Sequence, residues 1–217
     1  MTVKKRQLHE RVEPRSRPQQ ERSRIRYQAL LDAAEITIAE AGLDGLQMRE
    51  VARRANLPIA SVYHYFPSSA SLISALAQKH LETLGGILEK RLLATAPLNT
   101  TNLDIEQASL LIDDLAGFFF QTPSLPMIWR FIQVDPDLRK IDMDDTFKNA
   151  DQIQRYLTHF YPGLDAEQAR MTALVLIQMV MSTLTFAIDT PADMREKLLE
   201  TLKSMLMDVL RVLPQKS

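Results

Sequence analysis

Two apolar patterns of about two turns each follow one another between Met48 and Phe66, with a break between them. Met48, Val51, Ala52 and Ala55 fall at i, i+3, i+4 and i+7, the spacing of one helix face. Asn56 stops that pattern, because asparagine tolerates the left-handed conformation that ends a helix. Pro58 suits the first turn of a second short helix over about Ile59–Phe66, with Val62 and Phe66 facing inward. Longer patterns flank the pair. Tyr27, Leu30, Leu31, Ala34, Ile38 and Ala41 form a helical stripe from Ile25 that Gly42 and Gly45 close. Pro67, Ser68 and Ser69 end the second short helix and cap a fourth. That helix carries Leu72, Ile73, Leu76, Leu81, Leu84, Ile87, Leu88 and Leu92, with Gly85-Gly86 as a candidate bend.

The rest reads as helix too. Pro97–Asn102 is a linker. Ile105, Ala108, Ile112, Leu115 and Phe119 form a stripe, widened by Leu111 and Phe118. Pro123 and Pro126 punctuate a short element with Met127, Trp129 and Phe131. Phe147, Ala150, Ile153, Leu157 and Phe160 recur at helical spacing up to Pro162-Gly163. Asp165 with Gln168 resembles a capping box opening a helix to about Ile188. Thr190, Pro191 and Asp193 read as cap, first-turn proline and first-turn acid of a last helix to about Leu213. Only six glycines stand among 217 residues, too few for a sheet protein with many tight turns. The expectation is an all-α chain.

Two short helices joined by a three-to-four-residue turn, between two longer ones, suit a helix-turn-helix. In that unit the second helix enters the major groove of DNA. Its outward face here is Ala60, Ser61, Tyr63 and His64. Small residues permit close approach, and hydroxyl and imidazole groups bond phosphates or base edges. Charge agrees. The net charge is −1, yet residues 1–26 carry +6 and the remainder −7. A basic arm on an acidic body points to a polyanion met by one end, or to a plain solubilising tail.

Residues 24–84 resemble the DNA-binding domain of the tetracycline-repressor (TetR) family. The resemblance rests on MREVARRANLPIASVYHYFPSSASL, residues 48–72, with Val51-Ala52, Ser61-Val62-Tyr63, Phe66 and Leu72 at the family's pattern positions. It implies an N-terminal three-helix helix-turn-helix domain over 23–84, after a disordered basic arm over 1–22. A C-terminal helical ligand-binding and dimerisation domain would follow over 85–217. The implied function is a ligand-responsive regulator, most simply a repressor, that binds a palindromic operator as a homodimer. The alternative is a helical small-molecule carrier or protein-interaction module that has lost DNA binding.

The same resemblance assigns DNA contacts to Arg24, Gln47, Arg49, Ile59, Ala60, Ser61, Tyr63, His64, Tyr65 and Ser69. An arginine fork at Arg49 suits guanine O6 and N7. Ile59 packs inward or touches a thymine methyl, and Tyr65 is split between phosphate contact and packing. Three positions depart from the pattern. Asn56 replaces the usual turn glycine, Pro58-Ile59 a common Ser-Lys, and Ser69 a phosphate-binding lysine. The backbone amides at that helix start still receive a phosphate.

The candidate ligand pocket is Phe118, Phe119, Met127, Trp129, Phe131, Gln178, Met179 and Phe186, with a packed core as the competing reading. An unidentified effector, apolar or aromatic, is the expected small-molecule partner. The last helix has two apolar stripes. One is Met194, Leu198, Leu202, Met205 and Val209. The other is Leu199, Leu206, Leu210 and Leu213, taken as the dimer interface, because one stripe suffices for a core.

No cysteine is present, which excludes thiolate metal sites, cysteine nucleophiles and disulfides. Four histidines show no metal spacing, and no catalytic constellation is visible, so neither an enzyme nor a cofactor is expected. Asp142, Asp144 and Asp145 read as charge at a helix N-terminus. The uncharged run Met171–Ile188 reads as a core or interface helix, not a membrane span. The N-terminus has no signal-peptide h-region, so a cytoplasmic location is expected.

Overall fold

The computed structural model describes residues 20–95 and 101–214, with side chains undescribed at 94, 95 and 101–105. Most of the basic arm and of the Pro97–Asn102 linker therefore lie outside the described residues. The described residues form nine α-helices and no strand. In chain order these are α1 Glu21–Ala41, α2 Met48–Arg54, α3 Ile59–Tyr65, α4 Ser69–Thr95 and α5 Thr101–Gln121. They continue with α6 Leu125–Val134, α7 Pro136–Phe160, α8 Ala166–Ile188 and α9 Ala192–Val212. The all-α expectation holds.

The chain divides into two compact units. One comprises the described residues up to Leu81 together with Pro123–Ile141. The other comprises those of Glu82–Thr122 and Asp142–Ser217.

In the first unit α1 packs on α2, and α2 on α3. Leu30, Ile38, Val51, Val62, Phe66 and Leu72 are fully buried. Gly42 closes α1 at φ +72°, and a Cβ at Gly45 would stand 2.4 Å from that of Ala41, so only glycine fits there. Asn56 takes φ +52°, making it the left-handed turn residue the pattern demanded. Ser68 and Ser71 exchange backbone-to-hydroxyl bonds of 3.1 Å and cap α4, which runs without interruption through Gly85-Gly86.

The segment 123–141 joins this unit through α6, whose Leu125, Ile128 and Ile132 are buried. Buried Ser124 donates to Glu35 of α1 at 3.0 Å. Glu35 also faces Lys79 Nζ at 3.1 Å and His80 Nε2 at 3.3 Å, both on α4. Burial holds the His80 imidazole below the usual histidine range; Glu35 opposes that shift and Lys79 adds to it.

In the second unit α9 packs against α8 and α5, and α5 against α8. By length and composition α8 could cross a membrane. Here it is a bundle helix, burying Ala169, Ala173, Leu176, Val180, Leu184 and Ala187. Asp165 accepts the Gln168 amide at 2.9 Å, as the capping pattern required.

Two sequence expectations need correction. Thr190 does not cap α9: Pro191 holds that position, and the Thr190 hydroxyl turns back to the Ala187 carbonyl at 2.8 Å. Asp142, Asp144 and Asp145 are not at a helix start. The Asp135 carboxylate accepts the amides of Asp137 and Leu138 at 3.0 Å, so α7 begins at Pro136 and the three acids fall in its interior.

Candidate nucleic-acid interface and effector cavity

Local packing decides which side chains of α2 and α3 are available. Val51 and Ala52 are buried on α2, as are Val62 and Tyr65 on α3. The opposite face of α3 is left to solvent. It carries Ile59, Ala60, Tyr63 and His64 exposed, with Tyr63 at 49%, and Ser61 half-buried beside them. Gln47 and Arg49 stand exposed at the start of α2, the end away from the turn. Arg24 on α1 and Ser69 at the first position of α4 are exposed as well.

Tyr65 is placed differently. Its ring is buried, 5.8 Å from Tyr27 in an edge-on arrangement, and its hydroxyl lies 2.7 Å from Ser23 Oγ. Of its two expected roles, packing is the one this geometry displays. Val62 precedes it by three residues, so both point to one side of the helix.

The cations of α2 are not equivalent. Glu50 accepts two bonds from Arg53, at 2.8 and 2.6 Å, and one from Arg54 at 2.6 Å. Arg54 also reaches Glu40 on α1 at 2.5 Å. The bonds from Arg53 and then Arg54 hold the Glu50 carboxyl down to about 2. Arg53 and Arg54 are thereby compensated. Arg49, one turn before Arg53, has no ion pair among the described residues, which leaves its fork open outward.

The second unit holds a partly open cavity of about 150 Å³. Leu88 of α4, Ile112 of α5, Val180 of α8 and Leu206 of α9 represent its apolar wall. Arg91, Gln107, Asn149 and Tyr156 are its polar members. None of the eight residues expected to line a pocket lies on it. Phe119 is buried in the core and Phe118 is half-buried. Trp129 is buried in the first unit, where Met127 and Phe131 line a shallow cleft with Leu43. On α8 the cavity is met by Leu176, Ile177, Val180 and Met181. That phase turns Gln178 and Phe186 outward, with Phe186 62% exposed, and leaves Met179 half-buried.

The stripe expected at a dimer interface faces inward in the protomer. Leu206 and Leu210 are buried and line the cavity, and Leu199 and Leu213 are half-buried on the same inward side. Leu202 joins them inside. The outward apolar stripe of α9 is instead Met194, Met205 and Val212, beside half-buried Leu198 and Val209. The two stripes are equally apolar in sequence. Contact with α5 and α8 selects the leucine-rich one for the interior.

A pair of short helices across an asparagine turn, with an exposed face on the second, defines a helix-turn-helix transcriptional regulator. Comparison with known proteins makes the assignment specific. Residues 30–76 match the family model described as bacterial regulatory proteins, tetR family, and residues 106–212 match the tetracyclin repressor-like C-terminal domain. The transcriptional regulator BetI of Burkholderia thailandensis is 30% identical over 159 residues, covering 70% of this chain and 78% of BetI. The transcriptional repressor KstR of Mycolicibacterium smegmatis is 31% identical over 74 residues, 34% of this chain and 36% of KstR. FadR of Bacillus subtilis, solved in complex with stearoyl-CoA, superposes with a TM-score of 0.60 at 21% identity, covering 85% of this chain and 97% of FadR. The chain belongs to the TetR family of transcriptional regulators.

Proposed function

We propose that this chain is a ligand-responsive repressor acting as a homodimer in the cytoplasm. The observation that carries the reading is the outward face of α3, where Tyr63 and His64 stand exposed while Val62 and Tyr65 secure the helix from behind. Pairing uses the uncovered apolar face of the C-terminal helices: Met171, Val175 and Phe186 on α8, with Met194, Met205 and Val212 on α9. A twofold dimer then offers two α3 helices about 34–36 Å apart to the half-sites of a palindrome. The cavity in the second unit takes a mostly apolar effector, and the stearoyl-CoA held by FadR supports that chemistry. The effector weakens DNA binding only through its different affinity for two conformations.

The test is selection of random duplex DNA by the purified protein, followed by sequencing of the bound pool. An enriched palindrome is expected. On that site, Arg49→Ala or Tyr63→Ala should each cost about 1–3 kcal/mol of specific binding. No enrichment at low salt, or wild-type affinity in both variants, would overturn the reading.

A further inference from the structure

The end of the turn and the first residues of α3 make an uncharged, apolar tip. Pro58, Ile59 and Ala60 follow one another in the chain, and all three are exposed. Between Gly42 and Phe66, Ile59 and Tyr63 are the large hydrophobic residues left to solvent, Ile59 at 39%. At about 100° per residue, Ile59 lies about 40° from Tyr63 around α3 and about 60° from Val62. Val62 is fully buried, so the boundary of the packed side falls between it and Ile59. Ile59 is also the first residue of α3. Helical side chains lean toward the N-terminus, so this one projects past the helix start. That is the end which a recognition helix turns toward the base edges.

The neighbours of the tip suit DNA. Arg49 has no ion pair among the described residues, Tyr63 and His64 are exposed, and Ser61 is half-buried. Ile59 itself has neither a donor nor an acceptor. Against a phosphate it would displace water and return nothing. The same holds for guanine O6 and N7 and for the amino groups of adenine and cytosine, polar edges that lose by being covered without a partner. The thymine C5-methyl is the apolar group that the major groove displays. Ala60 beside Ile59 ends at its Cβ, which permits the approach to about 4 Å that a methyl contact requires.

We propose that Ile59 is a specificity-determining residue that reads one thymine methyl in each half-site of the operator. This rests on the reading of α3 as the helix that meets DNA. Ile59 favours thymine by burying the methyl, and it disfavours the other bases by keeping water from their polar edges. A position that carries no hydrogen-bonding group thus contributes to sequence choice.

The test removes the methyl and nothing else. In the duplex enriched from random DNA, each thymine of the half-site is replaced in turn by uracil, at matching positions in both halves. Uracil keeps the other edges of thymine and lacks the methyl. Binding of the full chain is measured by fluorescence anisotropy at one fixed salt concentration. One thymine per half-site is expected to be sensitive. Its replacement should weaken binding about fourfold for each half-site, the value of burying one methyl-sized group, and about fifteenfold for both. In Ile59→Ala the same double replacement should cost no more than about twofold. Ile59→Val keeps a branched apolar side chain and should retain most of the discrimination. Both variants alter a surface residue and leave the buried side of α3 intact. Uracil tolerated at every position by the wild type would overturn the role of Ile59 while leaving DNA binding in place. So would an enriched half-site without thymine, or an undiminished penalty in Ile59→Ala. If no duplex is enriched even at low salt, the operator-binding reading falls, and this inference with it.

Discussion

Replacing Phe186 by alanine probes the pairing face at its largest side chain. Full burial of a phenylalanine side chain contributes about 1.5–3 kcal/mol. Phe186 is 62% exposed in the protomer, so about 1–2 kcal/mol of that burial remains to be gained when a partner covers it. A twofold interface uses the residue once from each side, which doubles the loss to about 2–4 kcal/mol per dimer. The dimer dissociation constant should therefore rise by roughly 30- to 1,000-fold. Protomer stability should hardly change, because little of the ring is packed within the protomer. Sedimentation equilibrium over a range of concentrations gives the first quantity, and thermal unfolding at high dilution the second. Leu206→Ala is the contrasting variant. Its side chain is buried beside the cavity, so it should lower protomer stability by about 2–5 kcal/mol without acting directly on the pairing face. A dissociation constant unchanged within about threefold in Phe186→Ala would refute the proposed face.

Two further outcomes follow from the first unit. Glu50 is held at about 2, below its ordinary 4.5, so its contribution to stability is full above that ordinary value and is lost as the pH falls through about 2. The difference in Tm between wild type and Glu50→Gln should therefore close between pH 5 and 2; a constant difference would refute the pairing with Arg53 and Arg54. The Ser23–Tyr65 bond predicts that Ser23→Ala and Tyr65→Phe each cost about 0.5–1.5 kcal/mol and that the double variant costs no more than the larger single one. Full additivity in chemical denaturation would show that the two hydroxyls do not interact.

The helix-turn-helix was legible because its information is local. Asn56 and Pro58 set the turn, and the spacing of Val51, Ala52, Val62 and Phe66 sets the buried side. The outward residues of α3 then follow by subtraction. Tyr65 admits both readings in the sequence, because the motif offers a polar tip for DNA while the i+3 relation to Val62 turns the ring inside. The cavity was not legible in the same way. Large aromatics such as Phe119 and Trp129 attract notice in a sequence, but they fill space, and a cavity is space that packing leaves among leucines on several helices. The α9 stripes differ by a rotation that only the neighbouring helices impose. Asp142, Asp144 and Asp145 misled for another reason: the start of α7 is set by Asp135, whose capping bonds have no apolar pattern to announce them.

The turn between α8 and α9 has a consequence for how this family member can vary. Arg195, in the first turn of α9, donates to the carbonyls of Ala187, Ile188 and Thr190 at 3.1–3.3 Å, and its guanidinium stands 4.7 Å over the Phe120 ring of α5. One side chain thus stitches the end of α8, the start of α9 and the flank of α5. The linker at 189–191 is therefore a gauge block: its length sets the phase of Met205 and Val212 relative to Val175 and Phe186. An added or deleted residue would turn one half of the outward face by about 100° while leaving both helices intact. Lysine at 195, with a single ammonium and no planar fork, would loosen the same setting.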